Sequence, residues 1–202
     1  MIRVKIMRHG ERIDYTWNWI PYWLICFGQY WKDSPLTTNG HITANKKGQD
    51  ISNDIFNPKT IYSSPYNRTL ATSTEIKTSF PKSEIVIEPL LSEYQSSKHR
   101  VSLYPNGIPT TYNGEQTDFS YPENYNMFTK RVHFIINNLL EKNNNDIVIV
   151  THGELLKVYI EHIQSLYPEI LLDPGSISYL MTLSFDYDKV NKIIVPSSIK
   201  IE

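Results

Sequence analysis

Four short stretches carry side chains that could act together on an anionic ester. The first is Arg8-His9-Gly10-Glu11-Arg12, at the end of the apolar run IRVKIM. The second, after TIY, is Ser63-Ser64-Pro65-Tyr66-Asn67-Arg68, and the third is Glu93, which follows EIVIEPLL. The fourth, after DIVIV, is Thr151-His152-Gly153-Glu154. Brought side by side, they would line a pocket with Arg8, Arg12, Arg68, two histidines and a carboxylate.

The chemistry that fits such a pocket is phosphoryl transfer. A phosphate monoester carries roughly two negative charges at neutral pH, and three guanidiniums match it in charge and forked geometry. Each charge-assisted bond would contribute roughly 1.5–3 kcal/mol. Flanking arginines favour the neutral form of His9, leaving a ring nitrogen free to attack phosphorus. Glu93 would serve as general acid for the leaving oxygen, then as base for the water that hydrolyses the phosphohistidine. His152, if protonated, would hold the equatorial oxygens. Gly10 and Gly153 would let backbone approach the ligand, and helices starting after Ser64 and His152 would aim amides at it. A metal site built from His9, Glu11, His152 and Glu154 is disfavoured. Three arginines would repel a divalent cation, and neither histidine has a ligand partner four residues on. No metal and no other cofactor is expected.

Such residues need a scaffold that collects strand ends. Residues 2–7, 60–64, 84–90 and 146–151 read as strands, and ISYLMTLSF and NKIIVP as two more. Helical patterns span about 20–31, 38–54, 65–79, 122–142 and the residues after His152, with Pro21 and Pro65 at first-turn positions. Strands alternating with helices predict an α/β three-layer sandwich, its mostly parallel central sheet covered on both faces. Ligands bind beyond the carboxyl ends of such strands, where the reactive side chains lie. Residues 95–126 lack periodicity, and Tyr104, Tyr112, Phe119 and Tyr121 make that stretch a candidate lid. Trp17, Trp19, Trp23 and Trp31 read either as a core-packing helix or as a wall of the pocket mouth.

With 202 residues and no repeat or linker, a single domain over 1–202 is expected. A net charge of -1 gives no support for nucleic-acid binding or a polybasic membrane surface. No apolar run approaches the roughly 20 residues that span a bilayer. Cys26 is the sole cysteine, which rules out an internal disulfide, and its apolar neighbours suit an inert thiol. With no secretory signal in view, the cytosol is the expected compartment. His41, His99, His133 and His162 have no comparable context and read as structural or solvent-exposed.

The ordered combination RHGE (8–11), SPYNRTLAT (64–72) and VTHGELLK (150–157) resembles the signature segments of the histidine phosphatase superfamily, the phosphoglycerate-mutase-like branch I. The resemblance runs from the first strand to at least residue 163. It implies that His9 is phosphorylated, that Arg8, Arg68 and His152 bind phosphate, and that Glu93 in LLSEY donates the proton. The stretch RHGERIDYTWNWIPY is similar to the STS/TULA and insect steroid-phosphate phosphatase catalytic domains, where the matching Arg12 adds a phosphate-binding arginine. By analogy with STS-type domains a homodimer is expected. The expected activity is metal-independent hydrolysis of a phosphomonoester, a small molecule or phosphoprotein, with phosphotyrosine or other aromatic or apolar esters as candidates. Phosphoglycerate mutases resemble RHG-x-S-x-W-N at the first motif, so RHGERID favours hydrolysis over mutase chemistry. A non-catalytic phospho-ligand binding module is the remaining alternative.

Overall fold

Strand-forming runs rich in Ile and Val build the centre of the molecule. The computed structural model describes residues 1–15, 33–52, 55–96, 111–112, 115–117, 119, 122–173 and 175–202. The proposed 20–31 helix, the four tryptophans, Cys26, His99 and most of the proposed lid lie outside these residues.

The strands are β1 (Ile2–Arg8), β2 (Thr60–Ser63), β3 (Glu84–Ile87), β4 (Thr111–Tyr112), β5 (Glu115–Gln116), β6 (Ile147–Thr151), β7 (Thr182–Asp188), β8 (Ile193–Ile194) and β9 (Lys200–Ile201). The main sheet has the order β3-β2-β6-β1-β7-β8, with β9 also paired to β7. β3, β2, β6 and β1 run parallel, while β7 returns antiparallel beside β1. The pairing register sets Arg8 opposite Thr151 and Ser63 opposite Val150. The loops after β1, β2 and β6 therefore leave one edge of the sheet together.

The α-helices among the described residues are α1 (Thr38–Ser52), α2 (Asn67–Lys77), α3 (Tyr125–Lys142) and α4 (Gly153–Leu166). Alternation along the central strands sorts the core into two layers. Val4, Ile6, Ile147 and Ile149 pack with Val132, Ile136, Leu155 and Tyr159 of α3 and α4. Met7, Val148 and Val150 pack with Ile51 of α1 and Ile76 of α2. The predicted α/β three-layer architecture is the one observed.

Several boundaries differ from the sequence reading. α2 starts at Asn67 rather than Pro65, with Tyr66 extended at its N-cap. A residue distant in sequence sets that start, because Asp33 Oδ1 accepts the Asn67 N–H at 2.8 Å. α3 starts at Tyr125, where the Asn124 side chain accepts the Met127 N–H. Only residues from Thr182 onward of ISYLMTLSF are strand, because Leu180 turns the chain with φ 60°. β3 forms one end of the main sheet and leaves Val86 and Ile87 exposed, so that apolar run is not a buried strand.

Candidate active site

His9 is the first residue past β1, and its N–H donates to the Thr151 carbonyl at 2.9 Å. Its ring is buried, with Nδ1 2.8 Å from the Gly10 carbonyl. A carbonyl only accepts, so Nδ1 carries the proton and Nε2 keeps its lone pair. Arg68 Nε donates to that Nε2 at 3.3 Å. Burial first, then the charge of Arg68, holds the His9 pKa well below the usual imidazole value. Arg8 and Arg12 act in the same direction, and the Gly10 bond opposes them.

Arg68, in the first turn of α2, has no exposed surface. Its Nη2 donates to Glu93 Oε2 at 2.5 Å and to His152 Nδ1 at 3.2 Å, and its guanidinium lies 4.3 Å over the Tyr66 ring. Nη1 is 3.7 Å from Asp33 Oδ1 and makes no hydrogen bond among the described residues. His152 is the N-cap of α4. With Nδ1 accepting from Arg68, Nε2 holds the proton and donates to Ser64 Oγ at 2.8 Å. Burial, followed by the charge of Arg68, keeps this imidazole neutral, its pKa far below the ordinary value. The protonated His152 considered from sequence is not the form this arrangement holds. Its environment supplies burial and cations, neither visible in the local residues.

Arg8 ends β1, donates through Nη1 to the Ile177 carbonyl, and has its Nε buried without a hydrogen-bond partner among the described residues. Arg12 pairs with Asp14 through both Nε and Nη2. Arg12 therefore reaches the pocket as a charge that depresses His9 and His152, while Asp14 holds its guanidinium. Glu93 follows a short 3-10 turn over Pro89–Leu91 and its side chain is 33% exposed, the most open of these groups. Gly153 opens α4 beside Arg8, and a Cβ there would meet Arg8 Nε only at an ordinary contact distance of 3.4 Å. At Gly40, in the first turn of α1, a Cβ would lie 2.4 Å from the Glu11 carbonyl, so only glycine permits this approach to the histidine loop.

Sequence reasoning missed several residues around this pocket. Asp33 faces Arg68, and burial raises its pKa. Tyr66 stacks edge-on to His152 at 4.8 Å between ring centroids. Arg131 donates to the carbonyls of Leu90 and Ser92 at 2.5 and 3.0 Å and pairs with Glu123 at 2.6 Å. Glu123 in turn accepts the Gln95 N–H at 3.0 Å, so the pair anchors the segment carrying Glu93 from both sides. Asp14 had a signal in the spacing of RHGERID and Tyr66 in its place within SPYNRTLAT; Asp33, Arg131 and Glu123 had none, since only the fold brings them near. Away from the pocket, His41 pairs with Glu75, and His133 stacks on His162 between α3 and α4.

Residues 4–190 match the histidine phosphatase superfamily (branch 1). The chain belongs to that superfamily. It is 59% identical over 203 residues to an uncharacterized phosphoglycerate mutase family protein of Acanthamoeba polyphaga mimivirus, covering 100% of this chain and 98% of that protein. It is 29% identical over 199 residues to the ecdysteroid-phosphate phosphatase of Drosophila melanogaster, covering 76% of this chain but only 26% of that longer protein. Among solved structures, the ecdysone phosphate phosphatase of Bombyx mori, crystallised with tungstate, superposes with a TM-score of 0.67 at 20% identity, covering 99% of this chain and 94% of that one. The phosphoserine phosphatase of Entamoeba histolytica gives 0.60 at 22% identity, covering 99% and 97%. At such identities these structures establish the shared phosphoglycerate-mutase-like fold. This member of the superfamily keeps a histidine, an arginine and a second histidine at adjoining strand ends. Among its described residues no helix is long and apolar enough to cross a membrane.

Proposed function

We propose that this histidine phosphatase superfamily member is a metal-independent phosphomonoesterase that passes a phosphoryl group through His9 to water. The observation that carries the reading is the His9 ring, locked by Nδ1–H to Gly10 and presenting Nε2 beside Arg68. In the proposed reaction, Nε2 attacks phosphorus as the ester oxygen departs. Arg68 Nη1, with no hydrogen bond among the described residues, and Arg8 would receive phosphoryl oxygens. An incoming phosphate would take over the Arg68 Nη2–H that Glu93 now accepts, and Glu93, taking up a proton from solvent or from the substrate monoanion beside the new anion, would deliver it to the leaving group. Neutral His152 would donate from Nε2, now on Ser64, or accept from Arg68, steadying the guanidinium as charge moves. Gly153, the first residue of α4, would let the backbone approach the phosphate. The cationic lining is the reason no divalent ion is invoked.

Aromatic or apolar phosphoesters, including phosphotyrosine and steroid phosphates, are the proposed substrates. The similarity to the insect steroid-phosphate enzyme and the shared first motif support that choice. The test is phosphate release from an aryl phosphate in excess EDTA, comparing the intact chain with His9→Ala. Loss of release by roughly a thousandfold or more in His9→Ala is expected. An unchanged rate in that variant would exclude the phosphohistidine route. No release from either protein would shift the assignment to a mutase, to be assayed on phosphoglycerates.

A further inference from the structure

We infer that Tyr179 is a positioning residue that fixes Arg8 for the phosphoryl oxygens. The inference rests on the phosphatase reading for the identity of the anion, but its geometry stands apart. The Arg8 guanidinium carbon lies 4.3 Å over the Tyr179 ring, and the same ring lies 5.9 Å from the His9 ring. A planar guanidinium stacks well on an aromatic face, which binds its charge without using its N–H donors. Those donors stay available for oxygens. The Arg8 Nε, buried with no hydrogen-bond partner among the described residues, is one of them.

The chain around Tyr179 is shaped for this contact. Ile177 accepts from Arg8 Nη1, and Met181 accepts the Arg8 backbone N–H at 3.0 Å. Between them Leu180 adopts φ 60°, a left-handed conformation that a branched side chain avoids and that must be held by its surroundings. Arg8 Nε and Cδ also pass Gly153 at the start of α4, within ordinary contact of where a Cβ would lie. The Arg8 side chain is thus held by stacking, by the Ile177 carbonyl and against a helix start, while the Met181 carbonyl holds its backbone. Of these, the stacked ring alone is contributed by a side chain that can be exchanged without altering the backbone.

The experiment measures tungstate affinity by calorimetry on the full chain, with KM and kcat on an aryl phosphate alongside. Tyr179→Ala is expected to weaken tungstate binding about tenfold and to raise KM more than it lowers kcat. Tyr179→Phe, which keeps the stacking face, should stay within about twofold of the parent. Tyr179→Leu keeps apolar bulk without that face, should follow Tyr179→Ala, and serves if the alanine variant does not fold. In an Arg8→Ala background, the same Tyr179 change should add less than about twofold. An equal loss with and without Arg8, or unaltered affinity in both Tyr179→Ala and Tyr179→Leu, overturns the inference. If the parent chain itself binds no tungstate, the phosphatase reading falls and this inference with it. Tight parental binding with an inert Tyr179 removes the inference alone.

Discussion

Arg68 and Arg131 both lie at 0% exposure, yet their surroundings differ in one respect. Arg131 spends all three nitrogens on protein: Nε and Nη2 on Glu123, Nη1 on the Leu90 and Ser92 carbonyls. Its carboxylate partner is as buried as it is, with 1% exposure. Arg68 leaves Nη1 without a hydrogen bond among the described residues and leans on a Glu93 that is one-third exposed. A buried donor left unsatisfied costs stability, and a fold keeps one where an outside acceptor completes it. Saturation separates the arginine that builds the protein from the one proposed to receive phosphoryl oxygens.

The strongest way to break this comparison is to truncate each arginine and measure both stability and anion binding. Arg131→Met strands the Glu123 carboxylate in the core and should lower the urea unfolding free energy by about 3–5 kcal/mol. Adding Glu123→Leu should return much of that loss. Arg68→Met should instead weaken tungstate binding by roughly a hundredfold, about 2.7 kcal/mol, with a smaller effect on unfolding than Arg131→Met. If Arg68→Met proved the more destabilising of the two, saturation would not be the distinguishing property.

A pH titration sharpens the same contrast, because Arg68 is flanked by two buried neutral histidines. In the unfolded chain His9 and His152 take up a proton near pH 6.5; in the folded chain both are held well below it. The unfolded state binds more protons in that interval, so stability is complete above about pH 6.5 and falls as pH drops toward the depressed folded values. The slope should reach about 1.4 kcal/mol per pH unit for each histidine. His152→Gln should lower it by up to about 1.4 kcal/mol per pH unit in urea melts taken between pH 7 and 5.5, while His133 and His162, which burial also lowers, keep contributing. A parent slope near zero would mean that the pocket does not keep these rings neutral.

The smallest expected effect concerns Asp33, the carboxylate 3.7 Å from Arg68 Nη1. Asp33→Asn keeps an acceptor for the Asn67 N–H and removes a charge that competes with an incoming anion. Tungstate binding should tighten by a few-fold, within about 1 kcal/mol. Weaker binding would show that Asp33 orients Arg68 more than it competes for it.

Much of the scaffold was legible along the chain. Ile and Val runs marked β1, β2 and β6, and apolar spacing after His152 marked α4, because strand and helix periodicities are local properties. The residues His9, Arg68, Glu93 and His152 could be picked out because each follows such an element. Boundaries were less legible where a distant group sets them, as Asp33 does for α2, or where one backbone angle ends extension, as at Leu180.

By itself the sequence determined the three signature segments, the order of elements and the residue types gathered at the strand ends. Tertiary structure decided the partners of those residues, the neutral form of His152, and the burial that adds to the flanking arginines in keeping His9 neutral. Neutrality of His9 and His152 comes from burial beside Arg68, a property of neighbours rather than of position in the chain. The same holds for the stacking of Arg8 on Tyr179 and the anchoring of the Glu93 segment by Arg131. Each depends on distances across the fold, where electrostatic and packing energies act and linear spacing carries no information.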